Sequence, residues 1–95
     1  MTSEVLVAPC PWRPAYPLDD ETKIYWKYCN LLKEIATKRG IPFLDLFHCS
    51  GLRPWEESYR QIYYSKDNGG GVHPNELGHA VLASKFKSFL ETLLL

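Results

Sequence analysis

The sequence has no surplus of charge: 11 basic and 11 acidic residues leave a formal net charge of zero. That excludes the clustered Lys/Arg excess of a nucleic-acid-binding surface, so direct nucleic-acid binding is not expected. It also leaves little charge repulsion to oppose association. No apolar run approaches the ~20 residues that a membrane helix needs. The opening Met1-Thr2-Ser3-Glu4 lacks the basic-then-apolar order of a signal peptide. Cysteine is sparse and odd in number: Cys10, Cys29 and Cys49 are widely spaced, which argues against a disulfide framework and for reduced thiols. No Cys-x-x-Cys accompanies His48, His73 and His79, and the six-residue step between the last two puts them on different faces of a helix. No metal site and no cofactor are therefore expected. Repeats, low-complexity tracts and linkers are missing too, so residues 1–95 read as a single domain.

What is present alternates between strand and helix signals. Glu4-Val5-Leu6-Val7-Ala8 is a short β-rich apolar run, which reads as a buried strand ended by Pro9. Prolines at 9, 11, 14 and 17 make the next stretch a stiff extended loop. Asp19 or Asp20 can cap a helix, Glu21 suits its positive end, and Gly40 is a good stop, so a helix is expected over 20–39. Ile24, Tyr28, Leu31 and Ile35 recur at helical spacing and read as its apolar stripe. Ile41-Pro42-Phe43-Leu44-Asp45-Leu46-Phe47 reads as a second strand, parallel to the first across a right-handed helical crossover. Leu52 to Glu57 reads as a short helical turn, and Gln61 to Tyr64 as a short strand or a packed loop. A glycine-rich turn follows, with Pro74 at a first helical position and a second long helix over 75–93. Leu82, Phe86, Phe89, Leu90 and Leu93 give that helix its apolar face, and Gly78 inside it suggests a close approach.

The segment Gly71-Val72-His73-Pro74-Asn75-Glu76-Leu77-Gly78-His79 resembles the last block of the SGNH (GDSL-type) hydrolases, Asp-x-x-His-Pro followed by a polar pair and Gly-His. The upstream order is similar to that family's second half: a strand ending in a proline-rich loop, a long helix, Lys-Arg-Gly-Ile-Pro-Phe-Leu-Asp-Leu-Phe, then Ser-Gly-Leu-Arg-Pro. The resemblance covers essentially the whole chain. It implies an α/β fold, namely a truncated three-layer SGNH-like (flavodoxin-like) β-α-β-α arrangement with two short parallel strands and two long helices. It makes His73 the counterpart of the general base that activates a serine.

Two departures shape the functional expectation. The family's aspartate, three residues before the histidine, falls on Gly70; Asp67 is a candidate orienter of His73 only if the glycine turn folds back. The Gly-Asp-Ser-Leu nucleophile block, the oxyanion-hole glycine and the Gly-x-Asn-Asp block do not occur in these residues. Ser50 lacks a strand-turn-helix elbow and is a poor nucleophile candidate. His73 is therefore expected to be a vestigial base, and the chain on its own to be no enzyme.

The loops that rim the family's cleft carry Trp12, Arg13, Trp55, Tyr63 and Tyr64, residue types that anchor interfaces. The leading expectation is a non-catalytic module that binds a protein partner or its own copy, most simply as a dimer. Resemblance to phage and prophage SGNH domains points to the cytoplasm of a bacterial host cell and to an inhibitor of host defence, anti-CRISPR-like. The alternatives are a C-terminal fragment of an SGNH esterase or lipase supplying the triad histidine, and a phage tail structural module.

Overall fold

The computed structural model of the protein describes residues 4–12, 14, 19–66, 70 and 72–94. Strand β1 (Leu6–Ala8) leads into helix α1 (Asp20–Arg39), strand β2 (Phe43–Asp45), and helices α2 (Leu46–Cys49), α3 (Glu57–Tyr63) and α4 (Glu76–Leu94). The architecture is mixed α/β. The two strands pair in parallel, Leu6 opposite Phe43 and Ala8 opposite Asp45, with α1 as the crossover. Both are shorter than the apolar runs that announced them. The second run divides at Asp45, which accepts from the His48 backbone N–H at 2.9 Å and so starts α2 where strand was expected to continue.

Helix α1 has the bounds its sequence signals predict. Asp19 accepts from the Thr22 N–H at 2.8 Å. Gly40 takes φ 64°, a left-handed conformation that glycine adopts without a Cβ penalty, and its N–H reaches the Ala36 and Thr37 carbonyls.

The face that α1 buries is not the expected one. Thr22, Cys29 and Ala36 are buried. Cys29, with the half-buried Tyr25, Trp26 and Leu32, closes over Ala8, Phe43 and Phe47. Ile24, Tyr28, Leu31 and Ile35 instead stay 67%, 52%, 53% and 39% exposed. Helix α1 carries two apolar faces, and the small sheet can cover only one. The aromatic face wins because Phe47 meets Tyr25 and Trp26 at ring distances of 5.3 and 5.7 Å.

Helix α4 shows the same imbalance. Leu82 and Phe89 are half-buried, whereas Phe86, Leu90 and Leu93 remain exposed. An open cleft of ≈ 320 Å³ separates α4 from the sheet, between Phe43, Leu44 and Leu46 on one side and Lys85 and Phe89 on the other. Helix α4 is held instead against α3, where Gly78 permits the approach: a Cβ there would collide with the Tyr63 carbonyl and come within 2.8 Å of the Pro74 ring. Residues 61–63, expected as strand or loop, complete α3, and pairing begins only at Tyr64, in an isolated bridge to Pro74.

Candidate functional site

Open α/β sheets place their ligands beyond the carboxyl ends of the strands. Here those ends are the loop after Ala8 and the turn into α2. Pro11 in the first loop is buried, and its carbonyl accepts the hydroxyl of Tyr64. The neighbouring Cys10 carbonyl accepts the Tyr25 hydroxyl at 3.5 Å. Burial pushes both phenols well above the usual tyrosine range, and burial likewise raises the Cys10 thiol. Both hydroxyls therefore act as neutral donors that pin one loop from two sides.

Tyr64 connects that loop to His73. It bridges Pro74, and the Ser65 N–H donates to the His73 carbonyl at 2.8 Å. Asn75 fixes the other flank. Its N–H donates to the Tyr63 carbonyl at 2.9 Å, and its Nδ2 donates to the Ile62 carbonyl at 2.8 Å. Its Oδ1 accepts the Gly78 N–H at 3.0 Å, which makes Asn75 the cap of α4. Pro74 accordingly precedes the helix, which begins one residue later than expected. The His73 side chain itself is exposed.

Gly70 is buried with φ 82°. A Cβ built there meets nothing nearer than 3.7 Å, so space is available, but the left-handed backbone would strain an aspartate. Asp67 and Arg13 lie outside the described residues.

A carboxylate–imidazole pair does exist, on the other histidine. At the carboxyl end of β2, His48 Nδ1 lies 2.8 Å from Asp45 Oδ2. The rings of Trp26 and Phe47 pack edge-on against His48 at 5.3 and 5.0 Å. Beside them an open cleft of ≈ 310 Å³ is lined by Trp26, His48, Leu52, Arg53 and Trp55. Sequence reasoning considered His48 only as a metal ligand and missed this pair. The signal was the Asp-x-x-His spacing of Asp45-Leu46-Phe47-His48, directly after an apolar strand. Among the described residues no group of three His, Cys, Asp or Glu side chains could hold a metal ion. No helix among them is long and apolar enough to cross a membrane.

The aromatic residues expected to rim a cleft divide into different roles. Tyr64 is buried and supports the loop from within. Trp12 packs edge-on against Tyr25 at 5.2 Å, and Tyr63 stacks on Tyr59 at 5.5 Å. Trp55 lines the cleft beside His48. Ser50 is buried and accepts the Leu52 N–H at 3.2 Å, a structural use that leaves its hydroxyl in the interior.

No protein-family model matches the chain, and a search of curated proteins found no relative. Among solved structures, the chain is similar to a structural-genomics target protein from Lactobacillus plantarum, with 28% identity and a TM-score of 0.63. The match covers 72% of this chain but 31% of that one, so the chain spans about a third of the length of the structure it matches.

Proposed function

We propose that the chain carries the histidine part of an SGNH-like hydrolase centre and becomes catalytic only with a polypeptide segment that supplies the nucleophile and oxyanion donors. The observation that carries this reading is the tie from His73 to the carboxyl end of β1, through Ser65, Tyr64 and Pro11. A histidine on a turn tied to the loop after a parallel strand is where a general base would meet a serine on a neighbouring strand. The incomplete sheet, the exposed face of α4, and the greater length of the similar Lactobacillus plantarum protein, of which this chain covers 31%, support it. On this reading the fold is the second half of a three-layer SGNH-like domain. The 95 residues by themselves hold the base without the largest catalytic terms.

The test is a fluorophosphonate label and p-nitrophenyl acetate turnover, applied to the chain alone and to the complex it forms in its native source. The chain alone should not turn over substrate above a His73→Ala control. The complex should be labelled on a serine of the second polypeptide and lose turnover with His73→Ala, while His48→Ala retains it. Dependence on His48 instead of His73, or a complex that is never labelled, would overturn the reading.

A second reading keeps the fold and drops the chemistry: a non-catalytic protein-binding module. Gly70 favours it, because the position where the resemblance expects the orienting aspartate is held by glycine at positive φ. In that case the complex forms but carries no fluorophosphonate-reactive serine.

A further inference from the structure

The exposed stripe of α1 has a pattern that specifies a partner. Ile24, Tyr28, Leu31 and Ile35 follow steps of four, three and four residues, the spacing of a two-helix seam. Each is more than a third exposed. If two α1 helices cross antiparallel about a two-fold axis between Cys29 and Asn30, Ile24 of one meets Ile35 of the other, and Tyr28 meets Leu31. The same register sets charges of opposite sign against each other. Continuing the seam by one step places Glu21, in the acidic first turn, opposite Lys38, in the basic last turn. Along one flank Lys27 comes beside Glu34. Every one of these contacts occurs twice by symmetry. A parallel pairing would oppose Glu21 to Glu21 and Lys38 to Lys38.

We propose that α1 is a self-recognition surface, pairing antiparallel with α1 of a second copy of this chain through Ile24, Tyr28, Leu31 and Ile35, with Glu21–Lys38 and Lys27–Glu34 pairs across the interface. The charge pattern favours a copy of this same helix, because the acids and bases that complement the stripe lie on α1 itself; the exposed Lys38–Glu34 pair within each chain, at 3.0 Å, exchanges for the pairs across the interface. Isologous dimers of this kind are the commonest homo-oligomers. A single helix pair buries less than the ~1,600 Å² of a standard interface, so dissociation falls in the micromolar range. The inference does not depend on the hydrolase reading, since His73 and the Ser65, Tyr64 and Pro11 contacts that tie it lie outside α1.

Sedimentation equilibrium of the 95-residue chain from about 5 to 500 µM tests it, a span that brackets micromolar dissociation. A reversible monomer–dimer equilibrium is expected. Leu31→Lys, at an exposed position, should weaken it at least tenfold with a native circular-dichroism spectrum. Lys27→Glu and Glu34→Lys should each give monomers, since each sets like charges across the flank. Mixed together they should form a heterodimer, since Lys27→Glu then faces Glu34→Lys and the native pair meets on the other side. A wild-type chain that stays monomeric throughout, or a dimer indifferent to Leu31→Lys, would overturn the proposal. So would variants that fail to re-pair on mixing, or a different polypeptide occupying the stripe while the chain alone remains monomeric.

Discussion

Tyr64 donates its hydroxyl to the carbonyl of Pro11, 53 positions earlier in the chain. The contact joins the loop after β1 to the turn that carries His73, two regions that share no strand pairing. Both Tyr64 and Pro11 are buried, so water cannot replace the bond.

Tyr64→Phe removes the donor and leaves the Pro11 carbonyl unsatisfied in the interior. The expected loss is about 1–3 kcal/mol in urea unfolding. Tyr63→Phe, one residue away and only half-buried, should change stability by less than about 0.5 kcal/mol. Equal effects from the two variants would remove the loop tie from the account.

Gly78→Ala tests the approach of α4 to α3. In an ordinary helix the change would be favourable by about 1 kcal/mol. Here the new methyl group meets the Tyr63 carbonyl and the Pro74 ring, and Tyr63 backbone cannot move without disturbing the Asn75 N–H bond to it. A net destabilisation of about 1–3 kcal/mol is expected from chemical denaturation. A more stable variant would show that α4 is free to shift away.

Local signals made the long helix and the parallel crossover legible. Asp19, Gly40 and the run between them specify α1 by capping chemistry that no distant contact overrides. The buried face was not legible. Ile24, Tyr28, Leu31 and Ile35 and the set Tyr25, Cys29, Leu32 and Ala36 both keep helical spacing, and the choice depends on Phe47, which lies eleven residues beyond Ala36. The role of Tyr64 was hidden for the same reason, because its partner is remote. The Asp45–His48 pair could have been read from its spacing, but the stronger text around His73 drew the functional reading elsewhere. The expectation of close packing at Gly78 holds, and its physical cause, the Tyr63 carbonyl, is visible only in three dimensions.

Stability should fall on the alkaline side. Burial, with the Asp45 charge adding to it, pushes the Cys29 thiol from 9.0 up to about 11. Burial also raises Cys10, Tyr25 and Tyr64. Each raised value means that the folded state keeps its proton after the unfolded chain has lost it. The unfolded state therefore gains from about pH 9 for the thiols and from about pH 10 for the phenols. Stability is intact below about pH 9 and is lost as pH climbs through the folded values. Thermal midpoints in reducing buffer should drop steadily from about pH 9 upward, and Cys29→Ala should flatten part of that slope while lowering the midpoint at neutral pH. A midpoint that stays level to about pH 10.5 would contradict the assignment of these groups as neutral in the folded interior.

Asn75 carries two separable functions, and substitution can divide them. Its Oδ1 caps α4 through the Gly78 N–H, and its Nδ2 donates to the Ile62 carbonyl at 2.8 Å and more weakly to the Tyr64 carbonyl at 3.4 Å. Asn75→Ala loses both, so a cost of about 2–3 kcal/mol is expected from one lost cap and one lost donor. Asn75→Asp keeps an acceptor at the helix N-terminus, where negative charge is favoured, but turns a carboxylate toward two carbonyl oxygens. It should therefore retain the helix content of α4 by circular dichroism and still lose stability, with the loss easing as the carboxylate is protonated at low pH. Asn75→Ser keeps the cap without the charge and should fall between wild type and alanine at all pH values. The pH dependence distinguishes the two functions: a cap alone would make Asn75→Asp at least as stable as wild type at neutral pH, whereas a clamp on the α3 carbonyls makes it worse there. If Asn75→Asp proves neutral or stabilising at pH 7, the turn bearing His73 is held by backbone bonds from Ser65 and Asn75 alone, and the side chain of Asn75 serves only to start α4.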